Sequence, residues 1–332
     1  MIEIPHPYLL FIGDAADQLA AKTADGIAKW RPEWCVGQLR FPNCNADLRM
    51  PDVSLEEGIA LGAQTLIVGV ANRGGVLSND WLEVLEEALD KGYHLVSGLH
   101  MRLQSSPRLV QRAAAQDKNL IDVRQPQNEP VIGNGKKRSG KRLLTVGTDC
   151  SLGKMFTALA IEREMTTREM DADFRATGQT GIFIAGTGVS VDAVVADFIS
   201  GATEELTPDN EPEHWDIIEG QGSLSHPSYA GVSLGLLHGA QPDCLVMCHD
   251  PWRPHMRGIP HLLLPDLKQC IEQTEIAGRL TNPKCRTIGV SINTSAHTDA
   301  DAQEVLQSIE KETGLPTVDA VRQGAGRLVD AI

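Results

Sequence analysis

Short, wholly apolar runs alternate along this chain with longer stretches in which apolar residues recur at helical spacing. In the first part, Tyr8-Leu-Leu-Phe-Ile-Gly13 predicts a buried strand, and residues 15–30 follow with helical periodicity. Thr65-Leu-Ile-Val-Gly-Val70 predicts a second strand, running into the turn Asn72-Arg-Gly-Gly75. Residues 81–91 predict a helix with Leu82, Leu85 and Leu89 on one face; 94–97 and 106–116 repeat the strand and the helix. Strands that are apolar on both faces need cover on both, so the pattern predicts a parallel sheet between helices.

The rhythm breaks at residues 125–141. This stretch carries Pro126, Pro130, Gly133, Gly135 and Gly140 and the basic run Lys136-Lys-Arg138. It reads as a linker between a domain at 1–124 and one at 142–332. The basic run is either a solvated loop or a neighbour of the phosphate loop that follows it. Beyond the linker, strands are expected at 143–147, 173–177, 216–219, 244–248, 287–292 and 317–321. Helices are expected at 154–170, 189–200, 229–238, 266–279, 300–312 and 323–332. The fold class expected is α/β, a Rossmann-like domain followed by a doubly wound parallel sheet.

Composition narrows the function. The 332 residues carry a formal net charge of −14, against the basic face of a nucleic-acid binder. No apolar run approaches the roughly 20 residues of a membrane span, and Met1-Ile-Glu-Ile-Pro5 lacks the pattern of a signal peptide. A cytoplasmic protein is the expectation. The seven cysteines are scattered without a Cys-x-x-Cys pair, which predicts reduced thiols and no structural metal.

The chemistry concentrates at the predicted carboxyl ends of the second sheet. The run Gly147-Thr148-Asp149-Cys150-Ser151-Leu152-Gly153-Lys154-Met155 lies between an apolar strand and a helix start. Gly147, Gly153 and Lys154 read against the phosphate-loop pattern G-x-x-x-x-G-K-[ST], whose backbone N–H groups and lysine cradle a phosphate. A nucleotide hydrolase follows the lysine with a Mg²⁺-ligating hydroxyl. Met155 stands there instead. This favours a diphosphate that is held and not cleaved, such as that of coenzyme A. Asp149 is an unexpected neighbour for a phosphate unless a cation or amine meets it.

Three further runs fall at strand ends. Trp215-Asp-Ile-Ile-Glu219-Gly-Gln-Gly-Ser223 is like a Walker-B strand, and Glu219 is a candidate general base, with His226 just beyond it. Arg175, Thr177 and Gln179 lie in a glycine-rich stretch, where Arg175 and Gln179 are candidate substrate contacts. His249-Asp250-Pro-Trp252-Arg253-Pro-His-Met-Arg257 offers His249 and Asp250 as proton acceptors and Arg253 and Arg257 as carboxylate clamps. The lone His6, His94, His100 and His297 read as structural or exposed.

The Gly147-to-Met155 run resembles the dethiobiotin-synthetase-like P-loop proteins, whose loops also begin Gly-Thr-Asp. Together with Glu219-Gly-Gln-Gly-Ser-Leu-Ser-His-Pro227 and His249-Asp-Pro-Trp-Arg253, it is similar over the whole chain to a bacterial two-domain family long described as a domain of unknown function. That family has a D-glutamate N-acetyltransferase among its members. The resemblance implies an N-terminal Rossmann-like domain, a P-loop domain, and acetyl transfer from acetyl-CoA to the amine of D-glutamate. It also implies an N-acetyl-D-glutamate racemase as pathway partner. No tightly bound cofactor and a homo-oligomer are expected. Direct attack by the amine is the expected route, and an acetyl-thioester on Cys150 the lesser one. By themselves the residues leave open an ATP-dependent ligase or kinase and a nucleotide-sensing regulator.

Overall fold

The computed structural model describes residues 2–70, 77–125 and 131–332; the expected turn at 72–75 and part of the expected linker fall outside them. The chain divides into two compact units. The first contains the residues up to 128 and a returning segment, Gln179–Ser190. Its sheet is parallel, in the order Cys35–Arg40, Tyr8–Gly13, Thr65–Val68, His94–Ser97, Leu120–Asp122. Every residue of Tyr8–Gly13 is buried, as its unbroken apolar run requires.

The helices of this unit begin where polar caps allow. Ser54 and Glu57 form a reciprocal capping box before Leu55–Ala60, and the Ser78 hydroxyl caps Asn79–Asp90. The expected helix 15–30 is shorter, Lys22–Trp30, because the Asp17 carboxylate accepts the N–H of Ala20 and holds a turn before it. In the returning segment, the helix Gln179–Ala185 packs on Lys22–Trp30, and Thr187–Gly188 pairs antiparallel with Ile2–Glu3.

The second unit holds a six-stranded parallel sheet, in the order Thr317–Val318, Arg286–Ile292, Cys244–His249, Lys141–Gly147, Trp215–Ile218, Ala172–Arg175. The strand that feeds the phosphate loop is therefore internal, between Cys244–His249 and Trp215–Ile218. Leu144, Leu245 and Ile218 meet Leu236 and Leu237 of the helix Ala230–Ala240 on one face. Met247, Val290 and Ile292 meet Leu267, Leu306 and Ile309 of the following helices. Lys154–Thr167 contacts three strands, and Gly326–Val329 packs against it. Instead of one helix over 189–200, there are single turns at Val191–Ala193 and Ala196–Phe198, and the helix is Ile199–Leu206. Val189, Val191, Val194 and Val195 crowd that stretch with β-branched side chains that favour extended backbone. Among the described residues, no helix is long and apolar enough to cross a membrane.

The basic run before the sheet divides. Lys136 and Lys137 are exposed, whereas Arg138 is buried and its Nη2 donates to the Gly239 carbonyl at 2.6 Å and to Thr207 Oγ1 at 3.0 Å. Nearby, Arg142 is fully buried with its Nε 3.7 Å from Asp216, and Arg175 Nε donates to the same carboxylate at 2.6 Å. Removing one member of such a buried set leaves an uncompensated charge. Asp216→Ala is expected to lose roughly 3–5 kcal/mol in urea denaturation; a loss below 1 kcal/mol would show that Asp216 does not hold these arginines.

Candidate functional site at the phosphate loop

The loop after Lys141–Gly147 is one residue longer than the pattern it was read against, since Thr148 to Leu152 all lie between Gly147 and Gly153. Left-handed backbone at Ser151 (φ 51°) and Gly153 (φ 94°) turns the chain into the helix. Lys154 is buried, and its Nζ donates to the carbonyl of Asp149 at 2.8 Å. Burial lowers the lysine pKa, because the charged form has lost its water. Met155 is half-buried at the head of the helix.

Asp149 meets the cation its position called for. Its Oδ2 accepts from Arg253 Nη1 and from the backbone N–H of Arg257, both at 2.8 Å, and its Oδ1 accepts the N–H of Cys150 at 2.7 Å. Burial opposes ionisation, but Arg253 and the two N–H groups hold the carboxyl below the usual carboxylate range. Arg253 also donates to the Cys150 and Ser151 carbonyls at 2.8 and 3.2 Å. The loop after Cys244–His249 is thereby fastened to the phosphate loop. His249 Nδ1 lies 3.0 Å from Thr148 Oγ1, and burial pushes its pKa down to about 4, so the imidazole is neutral.

Glu219 leaves the end of the neighbouring strand. Its Oε2 accepts the N–H groups of Thr177 and Gly178 at 3.0 and 3.1 Å, and its Oε1 accepts Gln221 Nε2 at 3.1 Å. Burial pushes its pKa up to about 7, against these bonds and the nearby Lys154 charge. Gly220 makes the approach possible, because a Cβ there would stand 1.6 Å from the Thr145 carbonyl oxygen. His226 is buried with both nitrogens engaged: Nδ1 accepts the Ser228 N–H at 3.2 Å, so Nε2 carries the proton that faces the Arg257 carbonyl at 3.1 Å. Asp250 Oδ1 accepts the N–H of Trp252, and Oδ2 lies 3.6 Å from Arg253.

The second unit thus brings together the loop 147–155 with Glu219, His226, His249, Asp250, Arg253 and Arg257. It does not bring Arg175 to this end: that guanidinium turns back to Asp173 and Asp216. Gln179 belongs to the first unit, at the start of its helix. Arg253 is occupied by Asp149, while the Arg257 side chain is exposed. Burial raises the Cys150 thiol pKa, so the acetyl-thioester route has no ready thiolate at neutral pH. Gln221 joins the site without being a candidate on chemical grounds; its place between two glycines beside Glu219 is the signal the sequence carries.

Comparison with known proteins agrees with this architecture. Residues 131–329 match the family model described as a domain of unknown function, DUF1611_C P-loop domain, and residues 42–126 match the DUF1611_N Rossmann-like domain. A crystal structure of a DUF1611 family protein from Anabaena variabilis superposes with a TM-score of 0.84 at 31% identity, covering 98% of this chain and 99% of that one. Proteins named D-glutamate N-acetyltransferase from Tritonibacter scottomollicae and a Pseudoalteromonas species are 52% and 50% identical, each over 99% of both chains. The chain belongs to this family, with a Rossmann-like domain followed by a P-loop domain. It is an acyltransferase.

Asp149→Asn keeps the shape of the side chain but removes its charge from three donors. The expected cost is about 1.5–3 kcal/mol of stability, as for hydrogen bonds to a charged group. Urea denaturation that gives wild-type stability would mean that Asp149 does not fasten the two loops.

Proposed function

We propose that this protein transfers the acetyl group of acetyl-CoA to the amino group of D-glutamate, and that its phosphate loop holds the donor's diphosphate without hydrolysing it. The observation that carries this reading is a phosphate loop with a buried lysine and Met155 where a Mg²⁺-ligating hydroxyl would be needed for phosphoryl transfer. Full-length relatives named for the reaction support the substrate pair's acceptor half. The loop N–H groups and Lys154 would neutralise the diphosphate. Arg257 is the arginine left to meet a carboxylate of glutamate, since Arg175 and Arg253 are held by acidic residues.

The amine must lose a proton before it attacks the thioester carbonyl. Glu219, at about 7, is matched to that task near neutral pH, whereas His249, at about 4, is too weak a base. The amine nitrogen then bonds to the acetyl carbon, the carbon–sulfur bond breaks, and coenzyme A leaves as the thiol. Small-molecule co-substrates, a homo-oligomeric assembly and a racemase acting on the product complete the proposal.

Thiol release from acetyl-CoA on addition of D-glutamate tests the reaction; ADP formation from Mg-ATP, with no thiol release, would overturn it in favour of the ligase or kinase reading. Glu219→Gln should lower kcat by about 10²–10⁴-fold. Wild-type kcat/KM should fall as the pH drops below about 7, because protonation removes the base, and the variant should lack this limb. A variant with wild-type rate and the same limb would assign proton transfer to another group.

A further inference from the structure

The aromatic pair beside the phosphate loop has no part in the chemistry above. Trp252 follows the strand Cys244–His249, and His297 follows its parallel neighbour Arg286–Ile292. The other neighbour of Cys244–His249 is Lys141–Gly147, the strand that leads into the phosphate loop. Both rings therefore sit at the carboxyl end of the sheet and on the same side of the loop, Trp252 after the adjacent strand and His297 after the next one out. They stack with centroids 3.5 Å apart and an interplanar angle of 17°. Trp252 keeps 36% of its surface exposed, although one ring face is covered by His297.

This stack is held from both sides. Arg253, the next residue along, is tied to Asp149 and to two carbonyls of the phosphate loop. The Trp252 N–H donates to Asp250 Oδ1 at 3.1 Å. On the other side, Arg322 donates to the His297 carbonyl at 3.2 Å and pairs with Asp299 at 2.8 Å. An indole fixed in this way, with one face stacked and part of its surface still open to solvent, is a preorganised surface for a flat ring.

We propose that Trp252, backed by His297, is the stacking platform for the purine ring of the nucleotide whose diphosphate occupies the phosphate loop. The assignment rests on the acetyl-CoA reading, in which the donor carries adenine at the end of its diphosphate. A purine stacks on a π-face without needing directional bonds, which suits a tryptophan whose polar neighbours Asp250 and Arg253 are already engaged. The platform makes the nucleotide end of the donor a handle for affinity, while the thioester end reaches the acceptor.

The test compares two donors, acetyl-CoA and S-acetylpantetheine, which lacks the nucleotide. In Trp252→Ala, KM for acetyl-CoA is expected to rise about 10–100-fold, the range for one lost base stack. Its KM for S-acetylpantetheine and for D-glutamate should stay at the wild-type value. Trp252→Phe, which keeps a π-face, should recover most of the loss, and it serves if the alanine variant fails to fold. An unchanged acetyl-CoA KM in the alanine variant, or an equal rise for both donors, would overturn the platform while leaving the donor assignment intact. Calorimetry showing no acetyl-CoA binding to the wild type would overturn the donor assignment, and the platform with it.

Discussion

The buried carboxylate of Asp149 is the constraint on which the candidate site depends. A charge fully removed from water must be paired and hydrogen-bonded to persist. Here it gathers the Arg253 guanidinium, the Arg257 N–H and the Cys150 N–H. The consequence is geometric: the loop after one parallel strand is locked onto the loop after its neighbour. Lys154 Nζ bonds the carbonyl of the same residue, so the lysine that would meet a phosphate is fixed from that point as well.

Two titratable groups beside this clasp are driven apart by the same cause, loss of water. Burial makes a carboxyl reluctant to ionise and an imidazole reluctant to protonate. Glu219 rises to about 7 and His249 falls to about 4. One becomes a base of useful strength at neutral pH, and the other a neutral partner for Thr148. The backbone donors at Thr177 and Gly178 keep the Glu219 carboxylate in one orientation, so proton transfer there would need little rearrangement of the protein.

The sequence revealed what burial imposes on composition. Tyr8–Gly13 and Cys244–His249 are apolar at nearly every position because helices or strands surround them, and both read as strands at once. Cys35–Arg40 escaped because it is an edge strand whose residues are mostly half-buried, which admits Arg40, and because the buried Gln38 is kept by hydrogen bonds to Asp47 and the Met50 carbonyl. Gln179–Ala185 is helical although it is flanked by glycines and rich in isoleucine and phenylalanine; its docking on Lys22–Trp30, far away in sequence, decides the matter. The site residues divide in the same way. Spacing placed the phosphate loop, Glu219 and the 249–257 loop at one end of one sheet. It did not reveal that Arg175 and Arg253 are already paired, because Asp216 and Asp149 lie 41 and 104 residues away.

In the proposed reaction this phosphate loop holds an acyl donor and needs no divalent metal to do so. Calorimetric titration with acetyl-CoA, once in EDTA and once in Mg²⁺, set beside a titration with Mg-ATP, addresses it most directly. Equal acetyl-CoA affinity in both buffers is the predicted result. Tight binding of Mg-ATP, lost in EDTA and with no acetyl-CoA binding in either buffer, would contradict it.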